Sequence, residues 1–116
     1  MSDSDDGARV MVVLTTVGSE DDAVKLAGAL VERRLVACVN VLPGVRSIYR
    51  WQGAVHDDRE LLLLAKTTAS RLGEVTSALA ELHPYEVPEV VALETASVSA
   101  AYAAWLDMTP AERIAR

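Results

Sequence analysis

The fold is decided by residues 45–67, which read VRSIYRWQGAVHDDRELLLLAKT. The stretch from Val45 to Gln52 has the pattern of a β-strand with one buried face. Gly53 can adopt the backbone conformation of a tight turn, and the residues from Ala54 to Thr67 then return as a partner strand. The stretch therefore predicts a long β-hairpin.

This hairpin is longer than one small domain can cover. About thirteen residues of strand reach about 43 Å at about 3.3 Å each, whereas a helix of about 15 residues covers only about 22 Å. Ribbons of two strands are marginally stable in water on their own, so the excess length favours packing against another copy of the chain. The alternative is a twisted, solvated hairpin, which the charged residues at positions 57–60 favour.

The chain before the hairpin reads as strand, helix and strand. Residues 9–17 form a short β-branched apolar run that is typical of a central strand. Ser19 is placed to cap a helix, and Asp22 three residues later resembles a capping box. Leu35 to Leu42 reads as the next strand, which Pro43-Gly44 interrupts as a bend or a bulge would.

The chain after the hairpin reads as helix, strand and helix. Thr68 is placed to cap a second helix, which Pro84 ends. Residues 87–95 read as the last strand, and a short helix then runs to Leu106 behind one of two capping serines, Ser97 or Ser99. The order β-α-β-β-α-β plus a C-terminal helix predicts an α+β, ferredoxin-like fold, with an antiparallel sheet and both helices on one face.

Length and composition set the domain organisation. The 116 residues suit one domain. We expect a disordered acidic N-terminus at residues 1–8, a ferredoxin-like domain at residues 9–108 and a C-terminal tail at residues 109–116. Half of the residues are apolar and phenylalanine is absent, so the core has to be aliphatic.

Charge and cysteine content narrow the class of protein. The net charge is −6, and nucleic-acid binding is not expected because phosphate contacts need clustered Lys and Arg. The sequence has no targeting signal and no membrane-spanning run. A single cysteine, Cys38, cannot form an internal disulfide. A cytoplasmic protein is expected from these features.

No enzyme motif is present in the sequence. There is no Cys-x-x-Cys, no phosphate-binding glycine loop, and no arginine between Thr15 and Ser19, where an acylphosphatase would need one. The two histidines, His56 and His83, have no nucleophile motif around them. We therefore expect a protein that is not an enzyme.

Several side chains remain open to two readings. Tyr49 and Trp51 share one strand face and could wall a ligand cleft or anchor an interface. His83 could be a metal ligand or proton carrier, or it could cap helix carbonyls. Cys38 reads as a buried inert thiol. Lys66 could meet an anion, pair with Glu86 or Glu89, or lie on the surface, and the acids of the hairpin, Asp57, Asp58 and Glu60, read as a solvated strand edge.

Four linked motifs resemble the CutA divalent-cation tolerance family. They are ACVNVLPG at 37–44, SIYRWQG at 47–53, KTT at 66–68 and HPYEVPE at 83–89. The resemblance covers about residues 9–108. It implies a ferredoxin-like fold, a homotrimer formed by edge-strand pairing, and a cytoplasmic role in tolerance to copper and other divalent cations.

The copper ligands of some family members are missing from this chain. Those members have a cysteine where Thr15 stands and a histidine where Leu82 stands, so that only His83 remains of the set. Because copper prefers thiolate or imidazole ligands, we expect copper to bind no more tightly than it does to an ordinary surface histidine.

The resemblance and the residues together predict a cleft between subunits that binds a small anion or, weakly, a divalent cation such as copper or zinc. Six residues are expected to line it: Tyr49, Trp51, Lys66, His83, Tyr85 and Glu89. His83 is the candidate metal ligand among them. The alternative is a signalling trimer like the PII proteins, which work by contacting partners; the short turn at Gly53 counts against it, because it offers no long mobile loop.

Overall fold

The structure is a computed structural model that describes residues 7–107. Four strands form one antiparallel sheet in the order β2-β3-β1-β4. The elements in chain order are β1 (Val10–Val17), α1 (Glu20–Glu32), β2 (Cys38–Trp51), β3 (Ala54–Thr68), α2 (Leu72–Leu82), β4 (Val91–Glu94) and α3 (Ala100–Asp107). This arrangement confirms the ferredoxin-like α+β fold. Most of the expected N-terminal segment 1–8 and the whole tail 109–116 lie outside the described residues.

Both long helices pack on one face of the sheet. The side chain of Ser19 accepts a hydrogen bond from the backbone N–H of Asp22 at 3.1 Å, which confirms the predicted cap of α1. The core between helices and sheet is aliphatic, as the composition predicts. Its buried members are Val13, Val17, Ala23, Leu26, Leu30, Val36, Leu63, Ala65, Val75, Ala78 and Leu79.

The opposite face of the sheet, here called the open face, is also apolar. Its side chains follow from the strand pairing, because directly paired residues share a face: Val12, Leu14, Leu42, Leu62, Leu64, Val91 and Leu93. Leu42, Val91 and Leu93 are 44%, 44% and 47% exposed. Helix α3 covers one end of the sheet, where Leu106 packs in a cluster with Val10 and Ala37.

A β-bulge shifts the pairing of β2 with β3. Leu42 pairs with Leu62, but the next pair is Val45 with Glu60. Two residues, Pro43 and Gly44, therefore stand opposite one, and Gly44 has a φ of 80° that suits glycine. The interruption predicted at this position is thus confirmed as a bulge within a single continuous strand.

Beyond the bulge the hairpin extends as an arm, residues 45–60. Strand β1 pairs with β3 only from Leu61 to Thr68, so the seven residue pairs of the arm, from Val45–Glu60 to Trp51–Ala54, have no third strand beside them. The arm is about 23 Å long at about 3.3 Å per residue. It turns at Gln52 and Gly53, whose φ values are 50° and 80°, as a two-residue hairpin turn requires.

Three predicted boundaries were wrong. Strand β2 begins at Cys38 and not at Leu35, because the backbone N–H of Leu35 donates to the carbonyl oxygen of Leu30 at the end of α1. Thr68 does not cap α2: a 3-10 turn at Ala69–Arg71 intervenes, and the Thr68 hydroxyl lies 3.0 Å from that of Ser70. Residues 87–90 are not strand, and Pro88 has no N–H to donate to a neighbouring strand.

Candidate functional site

The two faces of the arm differ in chemistry. On one face, Tyr49 pairs directly with His56 and Trp51 with Ala54, and this face continues the open face of the sheet because Glu60 has the same parity on β3 as Leu62. The other face carries three arginines, Arg46, Arg50 and Arg59. The pairing confirms the prediction that Tyr49 and Trp51 share one face, and it places Arg46, Ile48 and Arg50 on the other.

A hydrogen bond between Tyr85 and Glu60 closes the base of the arm. Glu60 is the first residue of β3 beyond the last β1 pair, Val17 with Leu61. The Tyr85 hydroxyl occupies the space where β1 has ended and donates to Glu60 Oε2 at 2.6 Å. A Cβ at Gly18 would lie 3.3 Å from that hydroxyl oxygen, so glycine leaves room for the ring.

Both tyrosines of the site are held in the neutral form. The pKa of Tyr85 is raised above its ordinary value of 10, mainly by burial and secondly by the hydrogen bond to Glu60. Tyr49 donates its hydroxyl proton to Asp58 Oδ2, and this hydrogen bond is the main cause of its raised pKa. Each phenol therefore acts as a fixed donor to one carboxylate at neutral pH.

These residues surround a cleft of about 670 Å³, a size that suits a small molecule. Residues from β1, from both strands of the arm and from the segment after α2 line it: Thr16, Ser47, Ile48, Tyr49, Trp51, Asp58, Glu60, Tyr85, Glu86, Val87 and Glu89. Four of the six predicted cleft residues, namely Tyr49, Trp51, Tyr85 and Glu89, thus meet around one cavity.

His83 lies behind the cleft and uses both ring nitrogens. It follows α2 directly and is largely buried. Its Nε2 lies 2.8 Å from the carbonyl oxygen of Thr16, and its Nδ1 accepts the backbone N–H of Tyr85 at 3.1 Å. Because a backbone N–H only donates and a carbonyl oxygen only accepts, the ring donates from Nε2 and accepts at Nδ1. A metal ion on either nitrogen would have to replace one of these bonds.

Lys66 is placed away from the cleft within one chain. It pairs with Cys38 on β2 and Val12 on β1, on the open face. Six residues separate it from Glu60 along β3, which is about 20 Å. Among the residues 7–107 it forms no ion pair with Glu86 or Glu89.

The reading of Glu60 as part of a solvated edge was wrong, because Glu60 is only 8% exposed and bonds to Tyr85. Asp58 also has a defined partner in Tyr49. The sequence contains a signal for the burial of Glu60, because Glu60 directly precedes the Leu61–Leu64 run and lies on the same strand face as Leu62. Its partner could not be identified, since Tyr85 is 25 residues away in the chain.

A tight metal site does not fit the residues that the structure describes. No three His, Cys, Asp or Glu side chains within residues 7–107 are grouped to hold an ion. Thr15 is buried on the helix side of the sheet. A single hydroxyl and one hydrogen-bonded imidazole do not make the donor set that copper prefers.

The fold and the cleft can now be compared with known proteins. The model of the family described as "CutA1 divalent ion tolerance protein" matches residues 11–109. The chain belongs to this CutA1 family. The family is named for divalent-ion tolerance and not for a reaction.

Individual CutA1 relatives agree in sequence and structure. The divalent-cation tolerance protein CutA of Thermus thermophilus is 55% identical over 95 residues, which cover 82% of this chain and 92% of the relative. A solved Thermus structure matches with a TM-score of 0.80 at 54% identity, over 84% of this chain and 94% of that one.

The protein CutA, chloroplastic, of Arabidopsis thaliana is 41% identical over 91% of this chain, which spans 58% of that longer relative. The compartment therefore differs among CutA1 relatives. Within residues 7–107, no helix is long and apolar enough to cross a membrane.

Proposed function

We propose that this chain forms a cytoplasmic homotrimer that binds a small ligand or a divalent cation weakly in a cleft between subunits, and that it serves in the response to metal ions without catalysing a reaction. The observation that carries this proposal is the cleft at the base of the arm. It is walled by aromatic rings, it holds a buried carboxylate, and it lies at the edge of surfaces that a single copy leaves uncovered.

Two features of the protomer support the assembly. The open face presents large aliphatic side chains to solvent, and exposed apolar patches of this kind mark contact surfaces. The arm is a two-stranded ribbon without a third strand, which a second copy would stabilise. The cleft lies where these two surfaces meet, because the Tyr49 face of the arm continues the open face.

A signalling trimer without metal chemistry is the second candidate. Its support is the same assembly surface, which would be used to contact a protein partner. The two-residue turn at Gln52–Gly53 leaves no long loop at the tip of the arm. Pull-down from the native cytoplasm with and without added metal separates the two. A stoichiometric protein partner that is insensitive to metal would favour the signalling role.

The assembly is tested by sedimentation equilibrium at micromolar protomer concentration. We expect a mass of about 37 kDa, three times the 12.4 kDa of the chain. A monomer at this concentration would falsify the proposal. Substituting charged residues for two open-face side chains, as in Leu42→Glu with Leu93→Lys, should lower the assembly state, whereas Val24→Glu on the exposed side of α1 should not.

Metal binding is tested by equilibrium dialysis against buffered copper and zinc. Because both nitrogens of His83 are engaged, His83→Gln should retain as much copper as the parent, and His56→Gln serves as the control because His56 does not line the cleft. Copper retained stoichiometrically against a moderate chelator, and lost in His83→Gln but not in His56→Gln, would show that a tight site exists.

A further inference from the structure

The cleft has a strongly one-sided charge. Among residues 7–107, four carboxylates line it, from Asp58, Glu60, Glu86 and Glu89, and no Lys or Arg does. The arginines of the arm lie on its other face, where Arg46 is held by Asp57 through two hydrogen bonds of 2.9 and 2.7 Å. We propose that the cleft binds an organic cation, a guanidinium or primary ammonium group, rather than an anion or a bare metal ion. This inference rests on the proposed function, since it names the ligand of the same cleft.

Glu60 supplies the anchoring group. Its side chain is more than nine-tenths buried, yet it lines the cleft. One carboxylate oxygen, Oε2, accepts the Tyr85 hydroxyl, whereas Oε1 accepts no hydrogen bond from any residue in the range 7–107. A buried carboxylate with a free oxygen and no cationic neighbour favours a ligand that brings both a positive charge and N–H donors.

The walls of the cleft suit the same class of ligand. Tyr49, Trp51 and Tyr85 contribute aromatic rings, whose negative faces attract organic cations. Hydrogen bonding of both phenols to carboxylates fixes these rings and the acids beside them. A site of this kind is already organised before the ligand arrives, which reduces the entropy lost on binding.

A bare metal ion fits less well. Such an ion needs several oxygen donors about 2.0–2.6 Å away, but the acids here are spread around about 670 Å³ and are not grouped for one ion within the described chain. A small anion would meet four carboxylates, and Lys66 lies too far along β3 to offset them in the same protomer.

The cation could come from two sources with the same chemistry. A free small molecule could carry the guanidinium or ammonium group. An arginine on a neighbouring copy could carry it as well, since Arg50 and Arg59 are exposed and form no ion pair within residues 7–107. Variants of these two arginines distinguish the sources.

The test is an NMR titration of the full ¹⁵N-labelled chain. The probes are methylguanidinium and n-butylammonium as cations, acetate and inorganic phosphate as anions, and Zn²⁺ as the metal. We expect only the organic cations to shift the Trp51 indole N–H and the amides of Glu86, Val87 and Glu89. Glu60→Gln and Glu89→Gln should each weaken binding at least fivefold; Glu74→Gln, the same change in the first turn of α2, should not. Glutamine at position 60 can still accept the Tyr85 proton, and Glu89 is exposed, so both variants should fold.

Each outcome of the titration supports or contradicts the proposed binding of an organic cation. Cation binding to the parent assigns a free ligand. Binding that appears only in Arg50→Gln, Arg59→Gln or Lys66→Gln assigns the role to that side chain of a second copy. If acetate, phosphate or Zn²⁺ shifts these signals and the cations shift neither the parent nor these three variants, the inference is wrong while the proposed ligand cleft stands. If no probe shifts them in any variant, the cleft is only packing, and both are wrong.

Discussion

Two buried threonines of the same sheet offer a matched test of the structure. Thr15 and Thr67 are each 1% exposed, and both point to the helix side of the sheet. The Thr67 hydroxyl donates to the carbonyl oxygen of Leu35 at 2.6 Å. The Thr15 hydroxyl has no hydrogen-bond partner among residues 7–107. The same substitution, threonine to valine, should therefore have opposite effects on stability at the two positions.

The magnitude follows from what each hydroxyl loses on burial. An unpaired buried polar group costs about 1–3 kcal/mol, and Thr15→Val removes that cost while adding a methyl group to an apolar site. We expect this variant to raise the free energy of unfolding by about 1–3 kcal/mol. Thr67→Val leaves the Leu35 carbonyl without its donor, so it should lower the free energy of unfolding by about 1–3 kcal/mol.

The assay is denaturant and thermal unfolding at one fixed protomer concentration, because assembly makes apparent stability depend on concentration. For a chain of this length, 1 kcal/mol corresponds to about 3–6 °C in Tm. The two variants should thus lie on opposite sides of the parent. If both move in the same direction by similar amounts, hydrogen bonding of the hydroxyls does not decide stability here, and the assigned environment of Thr15 is refuted.

Two further predictions concern the tyrosine–carboxylate pairs. Tyr85→Phe should destabilise the protein by about 1–2 kcal/mol, a value reduced from that of a fully buried charged hydrogen bond because Tyr85 is 38% exposed. A double-mutant cycle in urea with Glu60→Ala, which removes the acceptor, should show coupling; additive effects would contradict the bond. Stability should also depend on alkaline pH. Because the folded-state pKa of Tyr85 is raised, the contribution of Tyr85 to the free energy of unfolding is complete below its unfolded-state pKa of about 10 and is lost as the pH rises above that value. The urea midpoint of the parent should therefore decline at alkaline pH, and Tyr85→Phe should make this decline less steep. An equally steep decline in the variant would contradict the argument.

The fold could be predicted because its signals are local. The strand pattern of β1, the Ser19 cap and the turn at Gly53 each depend on a few neighbouring residues. The boundaries that failed depend on distant partners. Whether residues 35–37 join β2 depends on how α1 ends: the N–H of Leu35 bonds to Leu30, whereas that of Ala37 bonds to Lys66 of β3. Whether residues 87–90 join β4 depends on the path of the chain after α2, since β1 extends to Val17 and offers partners for residues 88–90. Neither can be read from the segment itself.

The cleft could be predicted only in part for the same reason. The shared face of Tyr49 and Trp51 follows from strand periodicity, whereas the roles of Glu60 and Asp58 depend on which residues face them. Lys66 was placed in the cleft by its motif, but the length of β3 separates it from Glu60 within one chain. Only a neighbouring copy could bring a Lys66 to this cleft.

The bulge at Pro43–Gly44 connects the sequence to the chemistry of the site. The paired residue numbers of β2 and β3 add up to 104 before the bulge and to 105 after it, as in Leu42–Leu62 and Val45–Glu60. The turn at Gln52–Gly53 sets the pairing of the arm, Trp51 with Ala54 and Tyr49 with His56, so odd-numbered positions of β2 lie on the same face as Glu60. The bulge changes this parity at the base of the arm, so that the even-numbered positions of β2 before it share the open face with Leu62 and Leu64. Turn and bulge together place the rings of Tyr49 and Trp51 on the Glu60 face and Arg46 and Arg50 on the other, which is the arrangement that makes the cleft a site for a cation from outside the protomer.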